Sequence, residues 1–287
     1  MRHLFFQIGL SYIGRDVRYT KVNKDRFVSS YGTTPFICEM IWRYLENIVP
    51  KGTNYIHLLW ALLFLKLYTP EAALSGMVRV DEKTYRKHVW IILKSISSLK
   101  RLFVNLEDRF EDDNGSDCLM SVDGTDFKIQ QPTPFDKKWF SHKFKSSGLR
   151  YEIALCIQTG VIVWCNGPFP CGDWPDITIY RGWLKSKLIH GERLEADFGY
   201  RGDRTIDDPE TNCSTIEQKR KKRAVRGRQE TVNARLKIFG ALSQVYRHKR
   251  SCHHIVFWSA IVLTQLCLKY EKPLSPVVYS TERLNIW

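Results

Sequence analysis

The chain has 287 residues, 44 Lys+Arg against 30 Asp+Glu for a formal charge of +14, and is 44% hydrophobic and 13% aromatic. Nine Trp, 13 Tyr and 15 Phe exclude a mainly disordered chain, because so much aromatic surface is not left in water. The length predicts one large domain or two smaller ones with a sizeable core.

The positive charge is local. Residues 216–250 carry a net +10 and residues 136–150 a net +4, so the other residues balance. Two local clusters favour a polyanionic partner over a general solubility surplus. The eight cysteines contain no C-x-x-C pair and no zinc-ligand spacing. Cys252-His253-His254 is a poor metal site, because adjacent residues on a helix point in different directions. The apolar runs 58–65 and 255–268 fall short of the roughly 20 residues that span a bilayer. The expectation is a protein outside the membrane in a reducing compartment.

In chain order, residues 55–67 predict a buried helix. Pro70 then opens a short helix over 71–77. Asp81 caps a longer one over 82–99, whose outer side carries Lys83, Arg86 and Lys87. These three predict a helix-turn-helix-like DNA-binding region within residues 1–106. Residues 107–117, with six acids against one Arg and ending near Asn-Gly-Ser, predict a solvated acidic linker. Residues 118–287 form the second domain. It has a strand at 118–122, a hairpin of 151–158 and 161–165 turning at Thr159-Gly160, a helix at 176–188 and a strand at 193–196. A long basic helix follows at 214–239, interrupted at Gly227, and a buried closing helix at 252–268. The fold class is therefore α/β: a mixed sheet flanked by helices, preceded by an all-α region.

Two acids share one context. Asp123 follows an apolar strand and precedes Gly124; Asp197 follows Leu194-Glu195-Ala196 and precedes Phe198-Gly199-Tyr200. Carboxylates at strand ends project into the crevice where such sheets place their sites, and a divalent cation relieves their desolvation and repulsion. Glu230 is the only acid between Gln218 and Lys269. On a helix it shares a face with Arg226, Asn233 and Lys237. Two strand-end carboxylates and one on a basic helix fit two-metal phosphoryl chemistry, although strand-end Asp is also a common turn former.

These residues carry a resemblance. Val122-Asp123-Gly124-Thr125-Asp126-Phe127, Ala196-Asp197-Phe198-Gly199-Tyr200 and the run from Arg228-Gln229-Glu230 to Lys237 resemble the DDE nuclease domain of PIF/Harbinger-type transposases. So do Arg150-Tyr151-Glu152-Ile153, Gly167-Pro168-Phe169-Pro170, Asp173-Trp174-Pro175-Asp176-Ile177 and Tyr246-Arg247-His248-Lys249, over roughly residues 115–270. The resemblance implies an RNase H-like fold with Asp123, Asp197 and Glu230 as catalytic and metal-holding residues. It implies two Mg²⁺ or Mn²⁺ ions, cleavage of double-stranded DNA at transposon ends and strand transfer. Many relatives carry His where this chain has Asp126, which reads as an accessory residue rather than a ligand. A Myb-like DNA-binding partner protein, a homo-oligomer and residence in the nucleus are further implications.

Lys219, Arg220, Lys221, Lys222, Arg223, Arg226, Arg228 and Lys237 are expected to bind phosphates, with Lys137, Lys138, Lys143 and Lys145 as a second contact. The alternative reading is a host-recruited, catalytically silent DNA-binding or scaffold protein that retains the three acids by descent.

Overall fold

The computed structural model describes residues 1–111, 115–211 and 213–279. Helices come first: α1 (Arg2–Tyr12), α2 (Lys21–Tyr31), α3 (Pro35–Leu45), α4 (Tyr55–Leu67), α5 (Glu71–Val78), α6 (Glu82–Ser98) and the single turn α7 (Lys100–Phe103). Strands β1 (Cys118–Lys128), β2 (Phe140–Ser141), β3 (Ser146–Cys156) and β4 (Ile162–Pro170) follow. Next come α8 (Asp176–Gly182), β5 (Arg193–Ala196), β6 (Ile206–Asp207), α9 (Ile216–Leu236), the turn α10 (Gly240–Ser243) and α11 (His253–Tyr270).

The chain divides into two compact units, Met1–Phe103 with Arg235–Cys267, and Val104–Ala234 with Leu268–Trp287. The first unit is all helical. Its centre is α4, buried from His57 to Leu65, which suits a helix with apolar residues on every side. Asp81 caps α6 by accepting from the Thr84 amide at 2.9 Å. The inner face of α6 carries Tyr85, Val89, Ile92, Leu93 and Ile96, at the three- and four-residue spacing of one helical stripe. Tyr85 ties the two helices by donating to the Trp60 carbonyl at 3.0 Å. Most of α11 belongs to this unit rather than with the sheet. It needs apolar neighbours on nearly every side, and Ser259 binds the Leu93 carbonyl at 3.0 Å. By length and composition residues Arg250–Tyr270 could also cross a membrane, but 67% of their most apolar window is buried, as in a core helix.

The second unit is built on a six-stranded mixed sheet. Central β1 pairs antiparallel with β3 and parallel with β5; β6 lies parallel beyond β5, and both β2 and β4 pair antiparallel with β3. This is the expected RNase H-like arrangement. One core packs Leu119, Met120 and Val122 of β1 against Ala154, Val163, Tyr180, Leu184, Leu194 and Tyr200. On the other face, α9 crosses the sheet. Gln229 meets the Ser121 hydroxyl at 3.1 Å and donates to the Ile153 carbonyl at 3.0 Å.

Several expectations need correcting. The acidic stretch is not simply solvated. Leu106–Phe110 form a 3-10 turn, and Arg109, 2% exposed, bonds Glu192 at 2.9 Å. Leu106 and Phe110 pack on the sheet core, while residues 112–114 of that stretch lie outside the described residues. Helix α9 runs unbroken through Gly227. Helix α8 ends at Gly182, because Trp183 leaves helical geometry at φ −136°, ψ −69°; its ring joins Phe169 and Trp174, with centroids 4.8 and 5.4 Å away. All eight cysteines are free thiols.

Candidate active site

Parallel pairing sets Val122 opposite Ala196, so Asp123 and Asp197 each follow one member of the same pair. Strand β5 stops there, and Asp197 caps the next turn by accepting from the Gly199 amide at 2.8 Å. Strand β1 continues, held by β3 alone. Asp123 is steadied from α9, where Asn233 donates to its Oδ2 at 2.6 Å.

A third carboxylate joins them. Asp176 lies so close behind β1 that a side chain on Gly124 would collide with its Oδ1. A β-carbon on Gly199 would meet Asp197 Oδ1 at 3.0 Å and Asp176 Oδ2 at 3.1 Å. Glycine is required at 124, while at 199 a side chain would make the two carboxylates give way by a few tenths of an ångström. Lys143 enters from the loop after β2 and donates to the Gly124 carbonyl at 3.0 Å.

Charge at the site is under-compensated. Burial pushes the Asp123 carboxyl up to about 6, with Asp197 and Asp176 adding to the rise against Lys143 and the Asn233 bond. Asp176 is also raised, by burial first, against Arg150 and Lys143. Glu152, opposite Gly124 on β3, is fully buried and pushed up to about 8 by that burial. Its Oε2 accepts from the Trp164 indole at 3.0 Å and its Oε1 has no partner. Asp126 behaves oppositely. Burial pushes it up, but Arg150 binds both its oxygens, at 2.7 and 3.0 Å, and Ser141 adds a bond at 2.7 Å. Together these hold it below its usual range. Asp126 is thus an anchor for Arg150, and Arg150 reaches Asp176 at 3.3 Å.

A pH-dependent stability follows from Asp123. A carboxyl raised on folding contributes stability below its ordinary value of about 4 and loses it as pH rises through about 6. Asp123→Asn is therefore expected to raise the melting temperature in EDTA at pH 7.5 and to leave it unchanged at pH 3, which thermal unfolding checks directly.

The carboxylates Asp123, Asp197 and Asp176 suit a divalent cation in donor chemistry, and as they stand their oxygens do not all lie within 4.8 Å of one another. They offer oxygen donors, an open cradle at Gly199 and mutual repulsion that a cation relieves. Glu230 is exposed on α9, one helical turn before Asn233, and is not drawn into the cluster. Among the described residues, Cys118, Glu195 and Asp207 are the three metal-ligand types whose ligand atoms lie within 4.8 Å of one another. That group fits a metal poorly. Lys222 already neutralises Glu195 at 2.6 Å and Arg193 pairs with Asp207, while burial raises the Cys118 thiol well above its usual range.

The basic residues divide by position. Lys219, Arg220 and Arg223 are exposed on α9 and Lys237 in the turn after it, and Lys221 and Arg226 are half-buried. Lys222 and Arg228, expected among the phosphate-binding charges, point inward at 3% and 6% exposure. Lys222 binds Glu195 and the Asp208 carbonyl, and Arg228 the Ile157 carbonyl. Lys137, Lys138 and Lys145 are exposed, Lys138 being paired with Asp136 at 2.9 Å. In the helical unit Lys83 and Lys87 are exposed and Arg86 is paired with Glu71.

Sequence reasoning missed Asp176, Arg150 and the contact of Asn233. Asp176 and Arg150 stand in the motifs quoted above and Asn233 shares the Glu230 face, but only the folded sheet shows what they touch.

The family model for DDE superfamily endonucleases matches residues 122–265, half of the chain, and includes all three acids read from the sequence. The chain belongs to the DDE superfamily endonucleases. This family implies a DNA substrate and usually uses a divalent metal. Comparison with curated proteins and with solved structures returns no match.

Proposed function

We propose that this chain is a metal-dependent DNA endonuclease of the transposase type, of the PIF/Harbinger group, cutting phosphodiester bonds at transposon ends and transferring the 3′-hydroxyl strand into target DNA. The observation that carries the reading is that Asp123 and Asp197 directly follow Val122 and Ala196, the last pair where β1 and β5 run parallel, within the family match. Two Mg²⁺ or Mn²⁺ ions, when bound, supply activation of the attacking oxygen and stabilisation of the leaving one.

The chain's own residues do the rest. Asp123 and Asp197 would hold the cations, and Asn233 fixes the Asp123 carboxylate by donating to Oδ2. Glu230, which is exposed one turn before Asn233 and outside the cluster as it stands, would supply the third carboxylate on turning inward. Lys143, at the Gly124 carbonyl, is placed to bind the phosphate beside the acids. The exposed Lys219, Arg220 and Arg223, with Lys137, Lys138 and Lys145, bind the backbone on either side. Nuclear residence, a Myb-like partner and a homo-oligomer belong to this reading.

The test is nicking of supercoiled plasmid by the full chain with Mg²⁺ or Mn²⁺ and with EDTA. Cleavage in metal alone supports the reading; DNA binding with no cleavage in any divalent metal contradicts it in favour of the silent scaffold. Salt provides a further prediction. With about six phosphates neutralised, binding is expected to weaken roughly a thousandfold between about 50 and 200 mM salt. Replacing Lys219, Arg220 and Arg223 by Ala should flatten the log–log slope by about 3, from about 0.9 per phosphate. Fluorescence anisotropy over a salt series measures both.

A further inference from the structure

The turn at Gly199 holds two carboxylates, and only Asp197 belongs to the three acids read from the sequence. A β-carbon at Gly199 would lie 3.0 Å from Asp197 Oδ1 and 3.1 Å from Asp176 Oδ2, so glycine leaves a small cradle with an oxygen on either side. Gly199 is exposed, and the cradle is open to solvent there.

Asp176 is held in place for this position. Its Oδ1 faces Arg150 Nε at 3.3 Å. Arg150 is fixed by two bonds to Asp126 and by one to the Trp174 carbonyl, two residues before Asp176. That leaves Oδ2 as the oxygen turned towards Asp197. Tyr200 gives a second, independent observation. It is fully buried and its hydroxyl has no hydrogen-bond partner, yet it lies in the field of Glu152, Asp176, Asp123 and Asp197. An orphaned buried hydroxyl is the kind of donor that an ion-bound water would satisfy.

We infer that Asp176 is a further metal-holding carboxylate, sharing a divalent cation with Asp197 across the Gly199 cradle. The inference rests on the proposed metal-dependent reading of Asp123 and Asp197. The donors are all oxygen, which suits Mg²⁺ or Mn²⁺ over softer metals. Asp126 and Arg150 are then positioning residues that act through Asp176.

The test is a titration of the full chain with Mn²⁺ alone, followed by electron paramagnetic resonance, for wild type, Asp123→Asn, Asp176→Asn and Gly199→Ala. Gly199→Ala removes no carboxylate and fills only the cradle, so it tests the geometry even if Asp176→Asn fails to fold. The expected result is Mn²⁺ affinity weakened about ten- to a hundredfold in Asp176→Asn and in Gly199→Ala, with wild-type circular dichroism. Wild-type affinity in both, beside a loss in Asp123→Asn, overturns this inference and leaves the metal-dependent reading standing. No Mn²⁺ binding by the wild type, or wild-type affinity in Asp123→Asn as well, overturns both.

Discussion

Asp123→Asn and Asp197→Asn should each lower metal-dependent nicking by about a thousandfold or more, with DNA binding and folding retained. Each removes a charge from the site while leaving a side chain of the same size. A cation at a phosphoryl centre supplies several kcal/mol of charge stabilisation, and about 1.4 kcal/mol is tenfold in rate. Asn at 123 can still accept the Asn233 bond through its carbonyl, so the structural cost is small. Glu230→Gln should cost a similar factor although Glu230 is exposed, because it lies one helical turn from Asn233, which touches Asp123. Plasmid nicking rates set beside anisotropy with the same DNA separate loss of chemistry from loss of binding. A variant with wild-type nicking rates would remove its residue from the site.

Lys222→Met should destabilise the protein by about 3–5 kcal/mol, the usual cost of leaving one member of a buried ion pair alone. Lys222 Nζ lies 2.6 Å from Glu195 Oε1 and donates to the Asp208 carbonyl at 3.1 Å, and both side chains are almost completely buried. At about 2–4 °C per kcal/mol for a domain of this size, the melting temperature should fall by roughly ten degrees. The double variant Lys222→Met/Glu195→Gln should recover most of that loss, because neither buried charge is then stranded. Urea unfolding of these two variants and of Glu195→Gln alone measures the coupling. The pair also matters to the site. It ties α9, which carries Glu230 and Asn233, to β5, whose last residue directly precedes Asp197.

The parts of the fold legible in the sequence were those where local pattern and tertiary context agree. Strand β5 was readable to the residue, since a short apolar run ends in Asp197 before a turn. The helices α4, α5 and α6 were readable because Pro70 and Asp81 mark their starts. Strand β1 was cut short at Val122 because Asp-Gly-Thr-Asp looks like a turn. It stays extended through pairing with β3, which sets Asp126 opposite Arg150 and neutralises the buried carboxylate.

From composition the basic run of α9 reads wholly as phosphate-binding charge, but Lys222 and Arg228 point inward. Its helical spacing carried the missing signal, because Lys222, Val225, Gln229 and Val232 recur on one side and all are buried. Gly227 does not break the helix because a single interior glycine costs only about 1 kcal/mol, which the turns packed on the sheet to either side offset. At the site, Asp123 and Asp197 were visible as strand-end acids. Asp176 was not, since its role depends on Gly124 and Gly199 lying beside it in space. Helix α2 was missed for another reason: Phe27 and Tyr31, one turn apart, are its only buried apolar side chains, too few to form a periodic pattern.

The most direct measurement is Mn²⁺ anomalous diffraction from crystals of the full chain. The expected result is a Mn²⁺ peak bound by Asp123 and Asp197, with Asp176 on the Gly199 side. Mn²⁺ held instead by Cys118, Glu195 and Asp207, or no peak at Asp123 and Asp197 at saturating metal, would contradict it.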